Sequence, residues 1–349
     1  MKGKEIIFSI LNYYNQNKIN FDVYIVADAQ TKTCKYMPEQ ITHADESEFF
    51  SRTEFAEIVS AIFNCFGFAR VFYSEIEFIK YILDNRIPNS ECIVYNYSRD
   101  GRANGKKSLI PAFCDLLNIK YTGSDAFVIS LLRNKYVYTK FLEENGITVP
   151  RSELFSNKSD FSLLLNQYKN QYVIVKNKYE SASIGMTAKN VFRLCNNSLQ
   201  GLNNLLKEMC TNSLLVQEYI DGIECEVLVL QYKGEYYALD PVQILFKAEL
   251  KFIDTDTSNA YNYEFKIIES SLKFVLQMAA QKAARLLGVK DYARFDFRIK
   301  KGVPYLFDIA GTPYTIYHSS ISYLFTQYYQ MPYESIYKVI VACMLSNYE

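Results

Sequence analysis

Two aspartates, Asp296 and Asp308, sit in the stretch "YARFDFRIKKGVPYLFDIAGTP" on what reads as one β-hairpin. Arg294, Asp296 and Arg298 alternate with Phe295, Phe297 and Ile299, the period-two pattern of a strand with one polar face. Leu306, Asp308 and Ala310 alternate with Tyr305, Phe307 and Ile309 in the same way. Between them, Lys301-Gly302-Val303 suits a three-residue turn with glycine at the left-handed position, and such a turn sets Asp296 opposite Asp308. Carboxylates paired like this lie about 5 Å apart and repel, unless a proton, an arginine or a metal ion sits between them. The structural reading has Arg294 and Arg298 neutralise the pair. The chemical one places Mg²⁺ there, since that ion takes one or two carboxylates plus substrate phosphates.

Other residues offer positive charge. Lys176 ends the apolar strand "YVIV" and precedes the small-residue run "ESASIG". One ammonium and several loop N–H groups can surround phosphates; a solvated strand end beside a surface loop is the plainer alternative. Lys135, before "YVYTKFL", reads as a lysine within a helix. In "LLVQEYIDGIECEV" a buried strand runs into an Asp-Gly turn and out again. Backbone of Glu218 to Ile220 can pair with an adenine edge and Glu224 with ribose hydroxyls, or the segment is a plain hairpin with exposed acids.

The elements that must hold these residues follow from the surrounding pattern. In the first third, "DVYIVA" and "ECIVYNY" interleave with "TEFAEIVSAIFNCF" and "SEIEFIKYIL", which predicts an α/β layer with a parallel sheet. A Thr-Gly-Ser turn follows, with Ser124 or Asp125 as cap for a helix over "AFVISLLRNKYVYTKFLEENG" ending at Gly146. The pattern after residue 213 is antiparallel, with hairpins at the Asp-Gly and Lys-Gly turns. A long helix, "SSLKFVLQMAAQKAARLLG", precedes the aspartate hairpin, and a helix near 332–346 closes the chain.

Composition narrows the class. At 349 residues and 49% hydrophobic, two or three domains with sizeable cores are expected. Lys and Arg total 38, as do Asp and Glu, which argues against a nucleic-acid or anionic-membrane binder. The 8 cysteines show no CxxC spacing, so neither a zinc site nor a disulfide framework is expected, and a reducing cytoplasm fits. With only 2 histidines, His43 and His318, a histidine metal cluster or Ser-His triad is not supported. "KEIIFSIL" is too short for a signal peptide or membrane span.

The order of these features is more specific than any one of them. A lysine, a lysine with a small-residue loop, a strand with a ribose acid and a carboxylate hairpin together resemble the ATP-grasp superfamily, in its D-alanine–D-alanine ligase-like branch. The resemblance spans about residues 104 to 345 and is carried by "IPAFCDLLNIKYTGSDAF", "VIVKNKYESASIGM", "LLVQEYIDGIECEV" and "YARFDFRIKKGVPYLFDIAGTP". It implies a mixed α/β (α+β) fold in three parts: a Rossmann-like N-terminal domain (1–123), a central subdomain (124–213) and a C-terminal subdomain with the nucleotide and metal site (214–349). It implies that Lys135 and Lys176 bind the ATP phosphates, with Ser183 in the loop closing over them and Lys251 of "FKAELKF" nearby. Gln217 would accept from the adenine amino group, Glu218 and Ile220 would lend backbone groups to the adenine edge, and Glu224 would hold the ribose. Arg294 would stabilise the acyl phosphate and tetrahedral intermediate, Asp296 and Asp308 would bind Mg²⁺ or Mn²⁺, and Ser319 would meet the second substrate's carboxylate.

Certain positions depart from the family's pattern. Its second hairpin strand usually reads Glu-x-Asn, where this chain has Asp308-Ile309-Ala310; Tyr314 stands where a small residue follows the proline, and Ala182 replaces a loop serine. The implied activity is ATP-dependent ligation of a carboxylate to an amine through an acyl phosphate, releasing ADP and phosphate. Amino acids or small peptides are the implied substrates, in specialised peptide biosynthesis or tailoring rather than wall synthesis, with room for a homodimer. The second reading is a nucleotide-binding pseudo-ligase that supports a partner protein.

Overall fold

Strands buried on both faces dominate the start of the chain. In the computed structural model, which describes residues 3–17, 21–27, 50–85, 92–99, 104–179, 186–246 and 262–348, "DVYIVA" forms β1 (Asp22–Ala27). It lies inside a parallel sheet of order β2-β1-β3-β4, completed by β2 (Ala69–Phe72), β3 (Cys92–Tyr97) and β4 (Lys120–Tyr121). Val23, Ile25, Ile93 and Tyr95 pack on one side with α1 (Gly3–Gln16) and α2 (Arg52–Phe66). Tyr24, Val26 and Val94 pack on the other with α3 (Glu75–Asn85) and α4 (Leu109–Leu117). This two-sided burial is what a parallel layer requires.

Asp125 caps α5 (Ala126–Arg133) by accepting from the Val128 N–H at 3.0 Å. The single helix expected from Ala126 to Gly146 is instead two. Asn134 leaves helical geometry (φ −92°, ψ 85°) and its side chain caps α6 (Lys135–Glu144). The Lys135 N–H, released from the helix ladder, donates to the Lys178 carbonyl at 2.9 Å. Asparagine favours such breaks because its side chain competes for backbone donors. Lys135 therefore opens a helix rather than lying inside one.

A second, antiparallel sheet of order β5-β8-β6-β7 holds β5 (Ser152–Phe155), β6 (Tyr172–Asn177), β7 (Val191–Arg193) and β8 (Leu214–Glu218). Its core side packs on α7 (Phe161–Tyr168) and α8 (Ser198–Glu208).

The third sheet runs β12-β11-β9-β13-β14, with β10 also on β9. Its strands are β9 (Ile223–Tyr232), β10 (Glu235–Ala238), β11 (Val242–Phe246), β12 (Tyr263–Ile267), β13 (Tyr292–Lys300) and β14 (Val303–Ala310). One face, with Val227, Phe295 and Phe297, packs under α9 (Leu272–Leu287). The other carries Leu228, Leu230 and Tyr292 beneath α10 (Ser335–Leu345), a helix buried almost all round that also meets α1, α2 and β4. Further along that second face the residues turn polar: Glu224, Glu226, Asp296 and Arg298.

Two turns differ from expectation. Asp221-Gly222 is not a hairpin turn, because β8 and β9 belong to different sheets; the pair carries the chain from one sheet to the next. A Cβ on Gly222 would run into the carbonyl of Ile299, so only glycine allows this approach. The aspartate hairpin closes through a two-residue turn, Lys301-Gly302, both with positive φ (51° and 79°) and flanked by the pair Lys300 and Val303. An irregularity between Asp296 and Phe297 then leaves Phe307 unpaired, and the register beyond it becomes Asp296 opposite Asp308. Among the described residues, no helix is long and apolar enough to cross a membrane.

Candidate active site

The second and third sheets bring their polar residues together around β14. Lys176, buried at the end of β6, donates to the Gln217 side-chain carbonyl at 3.1 Å and lies 5.0 Å from the centre of the Phe307 ring. Gln217 is oriented by its own amide, which donates to Ser152 Oγ at 3.0 Å. Burial pushes the Lys176 ammonium down to about 8. Lys135 reaches across from α6 to form an ion pair with Asp308, whose same oxygen accepts from the Tyr138 hydroxyl at 3.0 Å. Burial works against ionisation of Asp308, yet Lys135 and Lys176 hold its carboxyl below the usual range.

Strands β9 and β13 supply a second layer of charge. Arg298 grips Glu224 at 2.5 Å, with both side chains buried, and donates to the Ile220 carbonyl at 3.2 Å and the Tyr219 hydroxyl at 3.3 Å. Arg294 grips Asp296 through two bonds of 2.8 and 2.9 Å and also lies 3.3 Å from Glu226. Neutralisation of the hairpin is thus only half as expected. Arg294 does hold Asp296, whereas Arg298 turns to Glu224 and leaves Asp308 to Lys135.

Glu226, Asp296 and Asp308 form one cross-strand row. Burial pushes the Glu226 and Asp296 carboxyls up, with Arg294 opposing. A single guanidinium is shared by these two buried carboxyls, which burial drives toward the neutral form. Every donor in that row is oxygen, which suits a hard divalent cation. Among the described residues no three His, Cys, Asp or Glu form a ready-made cage, and Mg²⁺ does not require one when phosphates complete its shell. Ala310, opposite Arg294, adds no donor.

The segment after β14 is anchored from the first sheet. Thr315 meets the Tyr97 hydroxyl at 2.5 Å and its carbonyl accepts from Tyr333 at 2.6 Å. A family model described as "D-ala D-ala ligase C-terminus" matches residues 142–341, which include β5 to β14 and most of α10. The chain belongs to this D-Ala-D-Ala ligase family.

Two similar proteins are D-alanine–D-alanine ligases, from Aquifex aeolicus (29% identical, covering 56% of this chain and 64% of that protein) and Halalkalibacterium halodurans (29%, covering 55% and 62%). These matches span a little under two thirds of the relatives' length. Fold similarity reaches further. A Bacillus anthracis D-alanine–D-alanine ligase complexed with ATP superposes with TM-score 0.66 at 15% identity, over 93% of this chain and 97% of that one. A D-Ala:D-Ser ligase from Enterococcus faecalis gives TM-score 0.65 at 14% identity, over 93% and 100%. The three sheets thus have the mixed α/β architecture of these ATP-grasp ligases.

Within this family member, Lys135, Lys176, Gln217, Glu224, Arg294, Asp296 and Asp308 lie near one another around β13 and β14. Other expected residues have partners within the protein. Glu218 pairs with Arg151 at 3.1 Å and its N–H donates to the Arg151 carbonyl. The Ile220 carbonyl is taken by Arg298. Ser319 caps a short helical turn, donating to the Ile316 carbonyl at 2.7 Å and accepting from the Ser322 N–H at 3.1 Å. Ser183 and Lys251 fall outside the described residues. Sequence reasoning passed over Glu226 and Tyr138. The alternation of Glu224 with Glu226 on one strand face was a usable signal for the first; nothing local marks the second.

Proposed function

We propose that the protein is an ATP-dependent carboxylate–amine ligase that joins amino-acid or small peptide substrates and releases ADP and phosphate. The reading rests on one observation above all: two lysines, two arginines and the Glu226–Asp296–Asp308 row meet between two sheets, in a chain of this ligase family. A substrate carboxylate oxygen attacks the γ-phosphorus and ADP leaves. The amine of the second substrate then attacks the acyl carbon, phosphate leaves, and the amine gives up a proton.

Lys135 and Lys176 would bear the transferred phosphoryl charge, and Arg294 the charge on the acyl phosphate, in a site dry enough to strengthen both contacts. Glu224, held by Arg298, would accept from the ribose. Asp296 and Asp308 would hold a divalent cation, Mg²⁺ or Mn²⁺, which when bound neutralises the phosphates. The D-alanine–D-alanine ligases among the relatives favour this over a pseudo-ligase. The three-part division, with its boundary after Ser213, belongs to the same proposal, as does cytoplasmic work in specialised peptide synthesis.

The test is an ADP-release screen over amino-acid and dipeptide pairs with Mg²⁺ and with Mn²⁺, analysed by mass for condensed product. A protein that binds ATP yet releases no ADP with any pair would overturn it.

A further inference from the structure

Residues 311–319, between β14 and the helical turn that Ser319 caps, belong to neither helix nor strand, so no backbone ladder fixes their course. Yet the start of this segment needs close placement. Residues 311–314 line a cavity of about 110 Å³ together with Lys135, Arg294 and Asp308, the charged groups given to the phosphoryl and acyl chemistry above.

What fixes the segment is a ring of hydroxyls closed on Thr315. The Tyr97 hydroxyl meets Thr315 Oγ1 at 2.5 Å, and Thr315 Oγ1 donates to the Tyr337 hydroxyl at 3.3 Å. The Tyr337 and Tyr333 hydroxyls lie 2.7 Å apart, and Tyr333 donates back to the Thr315 carbonyl at 2.6 Å. Run in that direction, the hydroxyls of Thr315, Tyr337 and Tyr333 each accept once and donate once. Burial pushes all three phenols up, Tyr97 to about 12, so the ring keeps its protons at neutral pH. Tyr97 ends β3, Tyr337 lies in α10 and Tyr333 just before it, so the ring draws on the first sheet and on the helix between the two sheets. Arg99, two residues past Tyr97, adds a second tie by donating to the Thr312 carbonyl at 3.2 Å and lying 4.5 Å from the Tyr314 ring centre.

Stability alone does not call for this arrangement. Replacing both partners of a buried hydrogen bond by apolar groups of the same shape is nearly neutral. What apolar contacts lack is direction, whereas a closed set of hydrogen bonds admits one placement of Thr315 and of the residues before it. The nucleotide is assigned to Lys176, Gln217 and Glu224, on β6, β8 and β9, and no bond of the ring reaches them.

We propose that Tyr97, Thr315, Tyr333 and Tyr337 are positioning residues of the ligase, setting residues 311–314 against Arg294 for the amine's attack on the acyl phosphate. This deepens the ligase reading and rests on it.

The experiment removes single hydroxyls at nearly constant shape. Kinetics use the amino-acid or dipeptide pair that the wild type condenses fastest in the ADP-release screen, and calorimetry gives ATP affinity. Tyr97→Phe and Thr315→Val should each lower kcat/KM for the amine substrate by about tenfold or more, mainly through kcat. ATP affinity should stay within about twofold of wild type and the thermal midpoint should change little. The double variant should be no slower than the slower single one, because both act through one bond. Thr315→Ser keeps the hydroxyl and should recover most of the rate. If Thr315→Val fails to fold, Tyr97→Phe and Tyr333→Phe decide the matter. Wild-type kinetics in the single variants, or a loss of rate matched by an equal loss of ATP affinity, overturns the positioning role alone. A wild type that binds ATP and condenses no pair overturns the ligase reading and this role with it.

Discussion

Asp296 stands opposite Asp308, yet the two carboxylates are held by different cations from different parts of the fold: Arg294, two residues along the same strand, and Lys135, from the start of α6. Alignment and partnership are thus separately determined. The alignment is a matter of strand register, restored past the two-residue turn by the extra residue Phe307. The partnership depends on Asn134 ending one helix so that Lys135 can begin another.

Lys176→Ala should weaken ATP binding by about 1.5–3 kcal/mol, the worth of a charge-assisted contact. Calorimetry showing wild-type affinity in both Lys176→Ala and Glu224→Gln would remove the nucleotide from this cleft.

The depressed Lys176 ammonium sets a pH dependence. Below about pH 8 it is charged in the free protein; above that it must take up a proton to meet the phosphates. ATP affinity should then fall by up to about tenfold per pH unit above 8, and Lys176→Arg should flatten the profile. Stability moves the opposite way. Between pH 8 and the ordinary lysine value of 10.5 the unfolded chain holds the proton and the native state does not, so this group's contribution to stability rises with pH across that window. A flat ATP-affinity profile from pH 7 to 10 would contradict the assignment.

Glu224 and Arg298 form a buried pair. Glu224→Leu leaves a buried arginine without its counter-charge and should cost about 3–5 kcal/mol in denaturant unfolding. The double variant Glu224→Leu/Arg298→Met should recover much of that loss while still lacking ribose recognition. Equal stability of the single and double variants would mean the pair is not buried in solution.

Ala310 faces Arg294 on the strand that carries Asp308, and its methyl group offers the metal no oxygen. Ala310→Asn should lower the Mg²⁺ concentration needed for half-maximal ADP release, and Asp296→Ala should abolish turnover. A magnesium titration unchanged by the first, with activity retained in the second, would favour a purely structural role for the hairpin.

Gly222→Ala places a methyl group against the Ile299 carbonyl at the crossing between sheets. It should destabilise the protein by about 1–3 kcal/mol and weaken ATP binding, because Glu224 lies two residues on. A variant that unfolds and binds ATP like the wild type would show that the crossing is not tight.

Much of this was legible in the sequence because it is local. Period-two alternation marks the strands of the aspartate hairpin from Arg294 to Ala310, the Thr-Gly-Ser turn puts the cap of α5 at Ser124 or Asp125, and the order of the charged motifs marks the ligase family. The chain also determines that Asp296 and Asp308 belong to one hairpin, since only a short turn separates their strands.

Tertiary structure decided what local pattern could not express. Asp221-Gly222 has hairpin chemistry, but β8 pairs with β5 and β6, because the apolar face of that strand is buried by α7 and α8 rather than by the third sheet. Arg298 had two carboxylates within reach along the polar face, and the register of β9 against β13 gave it Glu224 and left Asp308 for Lys135. The loops after β3 reach the end of β14 because α10 packs against the first sheet on one side and the third on the other. Pairing along a strand depends on neighbours in sequence; the choice of which buried charge meets which is made by packing between elements far apart in the chain.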